Sequence, residues 1–160
     1  MHEYLSAYLK YNLWANRIIT GYFEKAGKES LDITIESSFP SIRKTWYHIW
    51  DAQCIWILRL EGKEVTTWPG RDFTGTMKEA IYQFMESTEK LAELGLQLDA
   101  EKLITYKNLS GKEFTNKVWH ILMHVVNHGT YHRGQLVTML RQAGMKELQP
   151  LDMIVFTRQQ

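Results

Sequence analysis

Helix-breaking residues are scarce in this chain, and their scarcity is the strongest constraint on its fold. Only 3 prolines and 10 glycines occur among 160 residues, so long uninterrupted elements are expected. Apolar spacing, together with helix start and stop signals, predicts four long helices, over residues 2–25, 41–61, 76–94 and 116–143. The pattern is that of an all-α protein.

The ends of these helices carry recognisable capping residues. Ser41 is a candidate N-cap of the second helix, and Gly62 follows that helix directly. Thr76 opens the third helix with Glu79 three residues later, which is the spacing of a capping box. Gly144 lies just beyond the fourth helix, where a C-terminal glycine is expected.

The connecting segments complete the predicted architecture. Residues 28–40 are predicted to form a loop, and residues 62–75 are long enough for a crossover between distant helix ends. In 104–116, β-forming residues flank the turn at Ser110 and Gly111, which predicts a short β-hairpin before the last long helix. The apolar cluster 151–156 is expected to pack back on the bundle. We therefore expect a single domain over residues 1–160, built as a four-helix bundle.

Composition excludes several classes of protein. The net charge is +1, from 19 Lys+Arg and 18 Asp+Glu, so we expect no nucleic-acid partner. The single cysteine, Cys54, rules out an intramolecular disulfide. No apolar run of about 18 residues occurs, which predicts no membrane span, and the start of the chain lacks the apolar region of a signal peptide. A cytoplasmic protein is the expectation.

Four histidines repeat every four residues on the fourth predicted helix: His120, His124, His128 and His132. Each step of four residues rotates by about 40° beyond a full turn, so the row drifts around the helix. His132 falls inside the apolar arc and His128 at its edge, whereas His120 and His124 fall outside it. An isolated pair four residues apart also fits two hydrogen-bonded histidines without a metal. Two imidazoles side by side on an apolar arc each need a partner, which favours metal ligation by His128 and His132.

A third ligand is available on the second predicted helix. His48 lies on a mostly apolar face, with the small Ala52 one turn away. Three protein ligands leave one coordination position open, which is typical of catalytic rather than structural metal sites. Asp51 is a candidate for a supporting hydrogen bond or a fourth ligand, although a capping or solvated carboxylate is the favoured interpretation.

Further residues have open roles. Cys54 points away from His48 and is expected to be a buried structural thiol. Arg59 fits either an anionic substrate or a surface ion pair, and Arg133 points away from the ligands and is expected to be structural. Trp68, in the crossover, is expected at the pocket mouth, at a dimer surface or folded onto the bundle. Two residues border the site as polar lining: Tyr131 and Gln135.

Several motifs resemble those of the DinB/YfiT-like family. The segment HVVNHGTYHRGQL at 124–136 and the segment YNLWANR at 11–17 carry the resemblance. The single upstream His48, the predicted hairpin and the tail PLDMIVF at 150–156 support it over nearly the whole chain. The tail departs from the common form, with Leu-Asp-Met at 151–153 where Thr-Asp-Phe is expected, a difference that concerns packing and not ligation.

The resemblance implies an up-down-down-up four-helix bundle that holds nickel or zinc on three histidines, by position His48, His128 and His132. It also implies a homodimer. Characterised relatives include transferases and isomerases that use thiols such as bacillithiol or mycothiol. The expected function is thus a divalent-metal-dependent enzyme acting on small molecules, an S-transferase or a related isomerase or hydrolase, in which the metal activates a cofactor thiol or a water.

Two alternatives remain at this point. The chain fits a metal-binding protein of the DNA-damage or stress response without catalytic turnover. The second alternative is a DNA-associated factor, which the net charge near zero disfavours.

Overall fold

Five α-helices and one β-hairpin form the part of the chain that the structure, a computed structural model, describes, residues 2–27 and 29–159. The elements are α1 (His2–Ala26), a short 3₁₀ turn (Glu29–Leu31), α2 (Ile42–Leu60), α3 (Met77–Gln97), β1 (Leu103–Lys107), β2 (Glu113–Lys117), α4 (Val118–Gln142) and α5 (Met153–Thr157). The all-α prediction with a hairpin before the last long helix is confirmed.

The predicted capping residues form the helix ends. The Ser41 side chain accepts a hydrogen bond from the backbone of Lys44, and Thr76 and Glu79 form the reciprocal bonds of a capping box. Gly62 and Gly144 have positive φ angles of 71° and 96°, a conformation that glycine adopts at little cost. These four helix ends were therefore predictable from local chemistry, whereas α3 extends to Gln97, three residues beyond its predicted end.

The fourth long helix begins two residues later than predicted because the hairpin uses the preceding residues. Asn116 pairs with Ile104 and Lys117 pairs with Leu103, so both positions belong to β2. Paired main-chain groups in the ladder replace the first two residues of the predicted helix.

Contacts between side chains define the directions of α1 and α3. Asn16 on α1 donates a hydrogen bond to Thr88 on α3, at 3.1 Å. Nearer the start of α1, Leu9 packs against the backbone of Gly95 near the end of α3. The two helices are therefore antiparallel.

α2 runs parallel to α3. The rings of Trp46 and Phe84 pack near the start of both helices, with 5.8 Å between centroids. Beyond the end of α2, Glu61 forms an ion pair with Lys90, later on α3. The histidine contacts described below make α2 antiparallel to α4. Together these contacts give the up-down-down-up arrangement, in which α2 lies beside both α3 and α4.

The C-terminal segment packs on α1, as predicted. Phe156 is buried, and its ring lies 5.7 Å from that of Trp14 and 6.1 Å from that of Tyr11. The Tyr11 hydroxyl also donates a hydrogen bond to the carbonyl of Leu151, at 2.9 Å. Across the described residues, no helix combines the length and the apolar composition needed to span a bilayer.

Candidate metal centre

The three predicted ligands meet between α2 and α4. His48 comes from α2, and His128 and His132 from successive turns of α4. One ring nitrogen from each lies within 4.8 Å of the others, and the Nε2 atoms of His48 and His128 are 3.0 Å apart. Ring centroids are 4.5 to 4.9 Å apart in all three pairs. The helix pair thus holds three imidazoles around one point.

Burial keeps these imidazoles uncharged. Desolvation, and then the neighbouring His132, lower the pKa of His48 to about 4. Desolvation and the surrounding histidines lower the pKa of His128 to about 3. Desolvation also lowers the pKa of His132, although its hydrogen bond to Gln135 opposes this effect. Neutral imidazoles at neutral pH have the lone pairs that a metal ion requires.

Gln135 fixes the orientation of His132. Nδ1 of His132 lies 2.7 Å from Oε1 of Gln135, and because an amide oxygen can only accept, Nδ1 carries the proton. The lone pair of His132 is then on Nε2. Gln135 in turn donates from Nε2 to the hydroxyl of Ser38, at 2.8 Å. Outer hydrogen bonds of this kind set the tautomer and the aim of histidine ligands in metalloproteins.

The segment before α2 covers one side of the three histidines. The ring of Phe39 stacks on His48, with centroids 4.2 Å apart and planes 29° apart, and it lies 5.9 Å from His132. Neither Ser38 nor Phe39 was expected from the sequence, because their roles depend on the path of a loop. An aromatic residue just before the helix that carries His48 was the available signal.

The donor set fits a divalent transition metal. Two nitrogens bound to one tetrahedral zinc ion, each at about 2.0–2.1 Å, would lie about 3.3 Å apart. The Nε2 atoms of His48 and His128 are already 3.0 Å apart. Imidazole nitrogen suits zinc, nickel, copper and iron, and three such donors leave coordination positions free. The cluster can therefore hold a metal ion with room for a further ligand.

The two outer histidines lie off the cluster, as the helical wheel predicted. His120 is exposed and packs against Trp119, with 3.9 Å between centroids. His124 is also exposed; its ring lies 5.9 Å from that of His128 and 5.1 Å from that of Trp56. Neither belongs to the group of donors.

Asp51 anchors the crossover and does not support the histidines. Its two carboxylate oxygens accept hydrogen bonds from the backbone of Gly70, at 2.7 Å, and of Arg71, at 3.0 Å. These bonds hold a turn and not a helix end, and the carboxylate is buried, so Asp51 is neither a helix cap nor a solvated carboxylate. The expectation of a fourth ligand or a partner of His48 is also wrong. In the same loop, the Arg71 guanidinium lies 4.8 Å over the half-buried ring of Trp68, which folds against its own loop.

Cys54 and Tyr131 differ in their position relative to the three histidines. Cys54 lies outside the donor group and is half-buried, not fully buried as expected, and desolvation raises the pKa of its thiol to about 11, so the thiol is protonated at neutral pH. Tyr131 borders the cluster: it is exposed, and its ring contacts that of His132 with 5.0 Å between centroids.

Arg59 forms no ion pair within the described residues, contrary to the surface-pair interpretation. Its guanidinium lies between two aromatic rings, 4.5 Å from the centroid of Trp56 and 4.7 Å from that of Tyr106. One nitrogen, Nη2, donates to the carbonyl of Lys107 on the hairpin. The residue joins α2 to the hairpin on the side of the bundle that carries His124.

Arg133 joins the two sequence motifs inside the bundle. Its Nη1 donates to the side-chain oxygens of Asn12 and Asn16, both at 2.7 Å, and its Nη2 donates to Thr130. A Cβ atom at Gly129 would lie only 2.9 Å from Nη1, so glycine makes room for the guanidinium. Arg133 is structural, as predicted, but its partners on α1 were not foreseen from the sequence.

Comparison with known proteins identifies the family of the chain. The sequence profile of the DinB family matches residues 1–158. Protein DinB of Bacillus subtilis (strain 168) is 32% identical over 161 residues, covering 90% of this chain and 88% of that protein. With its two motifs joined through Arg133 and its three histidines between α2 and α4, the chain belongs to the DinB family.

Proposed function

We propose that His48, His128 and His132 bind a divalent metal ion, nickel or zinc, and that the protein is an S-transferase. In this proposal the protein transfers a small thiol of the bacillithiol or mycothiol type to an electrophilic small molecule. The observation that carries the proposal is the convergence of three neutral imidazole nitrogens within 4.8 Å. A set of three donors leaves space for a cosubstrate beside them.

The bound ion would supply Lewis acidity, which lowers the pKa of a thiol or a water bound to it. The chain's own residues orient the histidines and shield them from water. His132 is held by Gln135 with its proton on Nδ1, and Phe39 shields one side of His48 from water. Asp51 is turned to the crossover loop, and desolvation keeps the half-buried Cys54 thiol protonated, so neither supplies a nucleophile at the metal. The nucleophile would therefore come from a bound cosubstrate, and a thiol or a water fits that position.

The experiment is metal analysis of the purified protein, followed by an assay of thiol consumption with an electrophile such as chlorodinitrobenzene. We expect nearly one metal ion per chain and turnover that needs both thiol and metal. His132→Ala should remove metal and turnover together. Full metal with no turnover on any thiol would favour the non-catalytic alternative. Hydrolysis of an activated ester without thiol would favour the water-dependent chemistry.

A further inference from the structure

Arg59 carries a buried positive charge that the described residues do not neutralise. The side chain is only 8% exposed, and its Nε is buried without a hydrogen-bond partner. Of the five N–H groups of a guanidinium, only one donates to a described residue, the Lys107 carbonyl. A buried cation with unused donors and no carboxylate is costly, and a ligand with negative charge would compensate it.

Open space adjoins this guanidinium. A cleft of about 520 Å³ lies between the hairpin and residues 62–65, and Arg59 and Tyr106 form part of its wall. The other charged residues at the cleft are of both signs: Lys63, Glu64, Lys107 and Glu113. Lys63 is already paired with Glu61. Arg59 is thus the buried cation of the cleft, and a carboxylate-sized group has room beside it.

A row of ring contacts connects Arg59 to the three histidines. The guanidinium lies 4.5 Å from Trp56, the Trp56 ring lies 5.1 Å from His124, and His124 lies 5.9 Å from His128. Helix side chains lean toward the N-terminus, so Arg59 reaches back along α2 toward His48. His124 is exposed and Trp56 is half-buried, so the middle of this row reaches the protein surface.

We propose that the substrate of the metal centre carries a carboxylate or another anionic group, which Arg59 binds at the far end of this row. The body of the substrate lies over Trp56 and His124. This inference rests on the proposed function, since it places the reacting end of the molecule at the three histidines. It makes Arg59 a residue that determines specificity, separate from the metal ligands.

The test uses protein loaded with Co²⁺, whose absorption bands report thiol binding without any turnover. Mercaptoacetate, mercaptohexanoate and mercaptooctanoate are titrated, each beside the mercapto-alcohol of the same length. We expect a longer acid, which reaches Arg59, to bind about tenfold or more tightly than its alcohol. We expect mercaptoacetate, which is too short, to show no such advantage.

Arg59→Gln should remove the advantage of the long acid and leave the alcohols unchanged, whereas Arg59→Lys should keep part of it. Arg17→Gln, which removes an exposed charge elsewhere, is the matched control. If Arg59→Gln loosens the hairpin, the comparison of acids with alcohols of increasing length on the unmodified protein still tests the anion site. Equal affinity for acids and alcohols at every length would overturn the proposed anion site and would not affect the proposed function. Failure of every thiol to change the cobalt bands would overturn the proposed function, and the anion site with it.

Discussion

Gln135 accepts a hydrogen bond from His132, one turn earlier on α4, with 2.7 Å between Oε1 and Nδ1. The amide therefore determines which ring nitrogen of His132 faces His48 and His128. Gln135→Leu should keep the helix and weaken metal binding about 10- to 100-fold, as is typical when such a partner is lost. Competition titration against a chelating dye measures this change. Gln142→Leu, at an exposed position on the same helix, is the control, and equal affinities would contradict the role of Gln135.

The assignment of ligands predicts opposite results for two histidines on one helix. His132→Ala should lower metal content to a small fraction while the far-ultraviolet circular dichroism stays helical. His120→Ala should keep the metal, because His120 is exposed and lies outside the donor group. Elemental analysis of both purified variants gives the answer. Metal loss in the His120 variant would contradict the assignment of His128 and His132 as the ligands on α4.

The metal-free protein should lose stability as the pH falls below about 6.5, the ordinary pKa of histidine. The pKa is about 4 for folded His48 and about 3 for folded His128. Between these values and 6.5 the unfolded chain binds protons that the native state does not, so the free energy of unfolding decreases with decreasing pH. Urea denaturation across this pH range measures how steeply the free energy of unfolding changes with pH. His48→Asn combined with His128→Asn should flatten this dependence, and an unchanged slope would point to other groups.

Asp51 should matter for the crossover and not for the metal. Asp51→Ala removes the acceptor for two backbone N–H groups, at Gly70 and Arg71. We expect a loss of about 1–3 kcal/mol in the free energy of unfolding, the usual cost of leaving a buried donor, here the Gly70 N–H, unsatisfied. Metal affinity should be unchanged. A large fall in affinity with normal stability would restore Asp51 as a partner of the histidines.

Asn16 supports the interior through two contacts, accepting from Arg133 and donating to Thr88. Asn16→Ala would leave a buried guanidinium with one fewer acceptor and should cost about 2–4 kcal/mol of stability. Asn127→Ala, at an exposed position on α4, should change stability by less than about 0.5 kcal/mol. Chemical denaturation gives the free energy of unfolding of both variants. Similar losses in the two would argue against the importance of the Arg133 contacts.

Local chemistry explains what could be predicted from the sequence. Capping residues such as Ser41 and Thr76 act within one helical turn, so their effect is visible in the sequence. The choice of His128 and His132 over their neighbours followed from helical geometry, which depends only on spacing. His48 was identified because few histidines remained and its helical face was apolar.

The parts that the sequence did not reveal depend on long-range contacts. Phe39 and Ser38 reach the histidines because the loop before α2 folds back over them. Asp51 binds a loop 19 residues away, and nothing in the spacing distinguishes that role from support of a ligand. The position of Arg59 between two rings required the hairpin, whose docking on α2 is a property of the complete fold.

His132 and Arg133 are consecutive on α4, yet one faces the candidate metal centre and the other faces the polar side chains of α1. A helix is rigid about its axis, so a twist that moved Arg133 away from the asparagines would also swing His132 away from its two companions. Anyone transplanting the three histidines onto a different bundle would therefore need to bring a counterpart of that asparagine pair. Without it, the helix would lose the polar contacts that help to hold it at this rotation.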